Sequence, residues 1–128
     1  MKRISLALVT TFAFTAAASA SANLDCSAQD KNAELVIEAI TSRDGKYLDN
    51  LRGELQIVGG AKVEFDKSNV KSYNWGKNVA FVIAKETPQG PVEIRIYAKP
   101  KDEIDLEGNY TLTAGKTKKS GKIKCSGG

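Results

Sequence analysis

Residues 91–99 read PVEIRIYAK, and the reading of this stretch decides the fold class. Val92, Ile94, Ile96 and Ala98 alternate with Glu93, Arg95, Tyr97 and Lys99. A strand turns successive side chains to opposite faces, so a period of two predicts one apolar and one polar face. The same alternation continues on the C-terminal side. NYTLTA at 109–114 puts Tyr110, Leu112 and Ala114 on one side, with Thr111 and Thr113 on the other. GKIKC at 121–125 points Ile123 and Cys125 inward, and Lys122 and Lys124 outward. On the N-terminal side, TPQGP at 87–91 is a turn, and the apolar run at 79–86 precedes it.

Further out, Asp44-Gly45, Gly59-Gly60, Gly76-Lys77 and AGKTKKSG at 114–121 separate more short apolar runs. Strands are predicted over 33–42, 46–58, 61–66, 70–75, 79–86, 92–99, 109–114 and 121–125. The stretch NAELVIEAITS at 32–42 also has a helical reading, through Ala33, Val36, Ile37 and Ile40. The Asp-Gly turn just after it favours a strand, with Leu35, Ile37 and Ala39 on one face. No βαβ rhythm and no internal repeat is present. The class expected is all-β: a small antiparallel meander of about eight strands in a closed or nearly closed barrel, with a two-sheet sandwich as the alternative. EGNYTL at 107–112 resembles the tyrosine corner of immunoglobulin-like sandwiches, with Gly108 two residues before Tyr110. The tryptophan and cysteine positions of that family do not match, so no function carries over. Tyr110 is expected in the core with a bonded hydroxyl.

The chain begins MKRISLALVTTFAFTAAASASA. Lys2 and Arg3 precede an uncharged apolar stretch that ends in small-x-small sites, the pattern of a cleavable signal peptide. The apolar part is shorter than the about 20 residues a spanning helix needs, and no transmembrane segment is expected once the signal is removed. Residues 1–22 are assigned to the signal, with cleavage after Ala20 as the alternative, and 23–128 to a single β domain of 106 residues. The destination is outside the cytoplasm, periplasmic or extracellular. In that oxidising setting Cys26 and Cys125 are expected to form a disulfide that closes nearly the whole domain. Asp25, directly before Cys26, breaks the small-residue pattern of a lipid-anchored cysteine. Residues 23–128 carry 17 basic and 15 acidic side chains, a net charge of +2 that names no partner.

The chain contains no histidine, which excludes histidine-based nucleophilic catalysis and histidine-ligated zinc. SNVK at 68–71 matches a serine-lysine pattern without its companion motifs, and reads as a loop leading into a strand. GKT at 115–117 lacks the upstream glycine of a phosphate loop. Asp102, Glu103, Asp105 and Glu107 read as a solvated acidic loop or as oxygen ligands for calcium. No enzymatic activity, cofactor or metal is predicted.

Two surfaces are candidates for binding. The first is the basic run Lys116, Lys118, Lys119, Lys122 and Lys124, read either as the solvated edge of the last strand or as an anion-binding patch. It lacks the interleaved aromatics of a nucleic-acid groove, so no nucleic acid is expected. The second follows if Gly76-Lys77 makes a two-residue turn. That turn pairs Tyr73 with Ala80 and turns Tyr73 and Trp75 away from Phe81, flanked by Lys71 and Lys77, as an outer aromatic patch. The alternative is that Trp75 fills the interior. The function expected is a small exported binding or structural domain, its partner an envelope protein or a polysaccharide. An inhibitor of a secreted hydrolase, with KETPQGP at 85–91 as the inserting loop, and a small-ligand carrier are the alternatives.

Overall fold

Nine antiparallel strands form one sheet in the computed structural model, which describes residues 21–127. They are β1 (Ser21–Gln29), β2 (Ala33–Ser42), β3 (Leu48–Ile57), β4 (Lys62–Asp66), β5 (Val70–Trp75), β6 (Val79–Thr87), β7 (Gly90–Pro100), β8 (Asp105–Ala114) and β9 (Thr117–Gly127). Of the expected signal peptide only Ser21 and Ala22 fall within the described residues, as the start of β1. The sheet order is β4-β3-β2-β1-β9-β8-β7-β6-β5, a meander whose first and last strands are neighbours. The sheet curls into a nearly closed barrel. Its seam lies between β4 and β5, which a single 3-10 turn (Lys67–Asn69) connects. Asp66 and Asn69 cap that turn reciprocally, and Lys85 Nζ donates to the Glu64 carbonyl across the seam at 2.6 Å.

The expected period of two is realised as burial. Val92, Ile94, Ile96 and Ala98 of β7 are buried, and so are Leu35, Ile37 and Ala39 of β2. The strand reading of 33–42 therefore holds over the helical one. All nine strands send apolar side chains into one core, among them Leu55, Phe65, Phe81, Ile94, Leu112 and Ile123. Burying each such side chain contributes about 1.5–3 kcal/mol.

The sequence reading missed β1. Leu24, Cys26 and Ala28 point inward and Asn23, Asp25, Ser27 and Gln29 outward. This is an alternation of small and polar residues with little strand propensity. It holds as a strand because β2 pairs with it along its length and β9 along Leu24–Ser27. The last strand also starts earlier than expected, at Thr117, so only Gly115 and Lys116 are left to the turn.

Candidate functional site

The disulfide joins the N- and C-terminal strands where they pair in the middle of the sheet. Cys26 and Cys125 are directly paired across β1 and β9, both point into the core, and their sulfurs are bonded. The bond spans a sequence separation of 99 residues. Cys26 lies inside β1, ahead of the first strand expected from the sequence, at 33–42.

Tyr110 sits 1% exposed in the core, and its hydroxyl donates to Asp30 Oδ2 at 2.7 Å. The other Asp30 oxygen accepts the amides of Asn32 at 2.8 Å and Ala33 at 3.1 Å. Partial burial pushes the Asp30 carboxyl up, but the Tyr110 hydroxyl, the two amides and the charge of Lys31 outweigh it and hold the pKa below its ordinary value. Desolvation, together with the neighbouring Asp30 charge, pushes Tyr110 up to about 12. Gly121, opposite Tyr110 on β9, makes room for this bond. A Cβ there would lie 2.8 Å from the Tyr110 hydroxyl and would run into Asp30 Oδ2.

The aromatic pair of β5 faces inward, which agrees with the interior reading of Trp75 and not with the outer patch. The connection to β6 is three residues, Gly76, Lys77 and Asn78, so Trp75 pairs with Val79 and Tyr73 with Phe81. One added turn residue flips every side chain of the strand to the opposite face. Tyr73 and Trp75 therefore join Phe81 on the inner side, half-buried against the core. The Tyr73 and Phe81 rings stand 5.1 Å apart, and the Tyr73 hydroxyl donates to the Gly45 carbonyl. The Trp75 ring lies against Gly45 of the β2–β3 turn and Gly127 of β9, closing one end of the barrel. Lys71 sits exposed at the β5 irregularity beside Val70, and Lys77 is exposed in the turn. The four residues do not form one outer face. The edge of Trp75 instead lines a cleft of about 400 Å³ at the barrel end, with Arg43, Lys77, Asp102 and Ile104.

The five lysines of the basic run are all exposed. Lys118, Lys122 and Lys124 share the outer face of β9. Lys119 lies on the side of its partner Leu112 but reaches solvent past the end of the β1–β9 pairing. The acidic loop is committed locally. Asp102 Oδ1 accepts the amides of Ile104 at 3.0 Å and Asp105 at 2.8 Å, and Glu107 pairs with Lys101 at 3.2 Å. Among the described residues no group of carboxylates and thiols converges as a metal site would require. KETPQGP is mostly strand: Glu86 pairs with Pro91 and Thr87 with Gly90, leaving a tip of Pro88 and Gln89. Among the described residues no helix is long and apolar enough to cross a membrane.

No protein family, curated protein or solved structure matches the chain.

Proposed function

We propose that the chain is an exported, non-enzymatic binding domain that meets its partner with the outside of its barrel. The observation that carries this reading is the packed interior. Side chains of all nine strands meet there, and Tyr110, Phe81, Leu35 and Ile94 are each at most 1% exposed. Such a core leaves a small-ligand carrier little room. Clefts of about 650 Å³ and about 490 Å³ lie instead on the outer face, beside charged residues such as Glu38, Arg52 and Lys124. Both cysteines are bonded and the chain has no histidine, which leaves little for nucleophilic or acid-base catalysis. The signal-like N-terminus and the disulfide support export to an oxidising compartment.

Native mass spectrometry of the protein isolated from its source tests this. The expected species is a bare chain beginning at Ser21 or Asn23, about 2 Da lighter than its reduced form. The pairing of Ser21 with Ser42 and of Ala22 with Thr41 favours Ser21. A stoichiometric lipid or other small molecule would overturn the outer-surface reading in favour of a carrier.

A further inference from the structure

Among the described residues four ion pairs lie on the surface of this barrel, and none of them involves β9. Ion pairs link Arg52 to Glu38 at 3.1 Å, Lys62 to Glu54 at 3.2 Å, Arg95 to Glu93 at 2.6 Å and Lys101 to Glu107 at 3.2 Å. On β9 the cross-strand partners are neutral: Thr113 for Lys118, Leu112 for Lys119 and Asn109 for Lys122. Lys124 does face an acid, Glu107, but Lys101 already holds that carboxylate. Its partner on β1 is Ser27. None of the five lysines of residues 116–124 makes an ion pair among the described residues. A hydrogen bond from Asn32 Nδ2 to the Ser120 carbonyl, 3.1 Å, brings the β1–β2 turn alongside, adding the exposed Lys31.

The topology sharpens this asymmetry. β1–β4 and their connections, residues 21–66, carry nine carboxylates and five cations, whereas residues 67–127 carry six and twelve. The sheet order keeps these halves on separate walls, and β9 places four of the twelve cations at their boundary. Like charges strung along one strand repel, and an anionic ligand relieves that repulsion.

The neighbours indicate the ligand class. Outward side chains along a strand repeat every about 6.6 Å, so Lys118 to Lys124 make a line of about 20 Å. Beside the line, β8 presents Asn109, Thr111 and Thr113, which are neutral donors and acceptors, and beyond Asn109 stands Tyr97 of β7. Tyr97 is 45% exposed, and Asn78 Nδ2 donates to its hydroxyl at 2.7 Å, which holds the ring in place. No apolar side chain of β8 or β9 flanks the lysines on this face, as insertion into a bilayer would need.

We propose that the outer face of β7–β9 binds a linear acidic polysaccharide. Lys118, Lys122 and Lys124 take its anionic groups, Asn109 and Thr111 its hydroxyls, and Tyr97 the face of a sugar ring. The inference rests on the exported-binding reading and names the partner class.

The test titrates the oxidised exported protein with alginate, dextran sulfate, neutral dextran, polyphosphate, anionic phospholipid vesicles and an oligonucleotide. The acidic glycans are expected to bind, weakening as salt rises, and neutral dextran not to bind. The triple variant K118Q/K122Q/K124Q should bind the glycans about ten-fold or more weakly at an unchanged melting temperature, and the lysine-to-arginine triple should bind like the parent. Tyr97→Ala should weaken glycan binding and leave polyphosphate binding unchanged, because polyphosphate offers no ring to stack. Unchanged glycan binding by the glutamine triple, or vesicles or the oligonucleotide binding as tightly as the glycans, would overturn the inference. Capture of an envelope protein with no affinity for any glycan would overturn it while leaving the exported-binding reading intact.

Discussion

At the scale of single residues, the Tyr110–Asp30 bond and the glycine that admits it are the most exposed to test. Gly121→Ala forces a Cβ against both partners, and separating them leaves a buried hydroxyl without its acceptor. Overpacking and the lost bond together should cost about 2–4 kcal/mol, read by urea denaturation. Tyr110→Phe removes only the hydroxyl and should cost about 1 kcal/mol. The pH dependence follows from the same groups. Burial raises Tyr110 to about 12, and burial with the Asp44 charge raises Tyr73 to about 12, so the folded state favours the neutral phenols. Their contribution is complete below the ordinary tyrosine pKa of about 10 and is lost as pH rises through the folded values near 12. Stability should therefore fall steeply between about pH 10 and 12, and Tyr110→Phe should flatten that fall. Asp30 acts oppositely: its pKa is lowered in the fold, so its contribution is present above its ordinary value and is lost as pH falls through the folded one.

At the scale of elements, the β5–β6 hairpin and the β9 strand make contrasting predictions. The three-residue turn directs Trp75 inward onto Gly45 and Gly127, where it ties edge strand β5 to the β2–β3 turn and to β9. Trp75→Ala should cost about 2–4 kcal/mol, below a fully buried tryptophan because the ring is half-buried. The parent's tryptophan emission should be blue-shifted from that of free tryptophan and only partly quenched by iodide, because one edge of the ring lines the cleft. Emission as red-shifted and as quenchable as that of free tryptophan would contradict the register. The basic run should behave in the opposite way. Lys116, Lys118 and Lys119 touch solvent and no acid, so changing each to glutamine should shift stability by less than about 0.5 kcal/mol. Unfolding by the triple change would show that these lysines support the hairpin itself.

At the scale of the whole molecule, the two halves of the sheet meet at a narrow junction. β1 and β9 pair over four residues each, Leu24–Ser27 with Lys124–Gly127, and the disulfide lies within that short ladder. Crosslinking residues so far apart in sequence restricts the unfolded chain strongly, so reduction should lower stability by about 2–5 kcal/mol. The loss should begin locally. Hydrogen exchange of the reduced protein should quicken first in the β1 and β9 amides, before β7 and β8, which pair along nearly their full length. Uniform loss of protection across all strands would mean that the bond does not guard this junction in particular.

The amino-acid sequence by itself determined the strand period, the inward set of β2, β7 and β8, the Cys26–Cys125 pairing and the place of Tyr110 in the core. These are local alternations that the pleat converts directly into faces, or one pair of thiols with no other partner. The tertiary structure alone decided three further matters. β1 is a strand because β2 and β9 flank a segment whose own propensity is weak. Tyr73 and Trp75 turn inward because the turn spends three residues and not two, a choice made by the fit of Trp75 against glycines 30 and 52 residues away. The lysines of β9 make no ion pair among the described residues because the register places Thr113, Leu112 and Asn109 opposite Lys118, Lys119 and Lys122, while Lys101 takes the acid opposite Lys124. Charge compensation is a property of neighbours across strands, and strand order and register assign those neighbours only when the whole sheet closes.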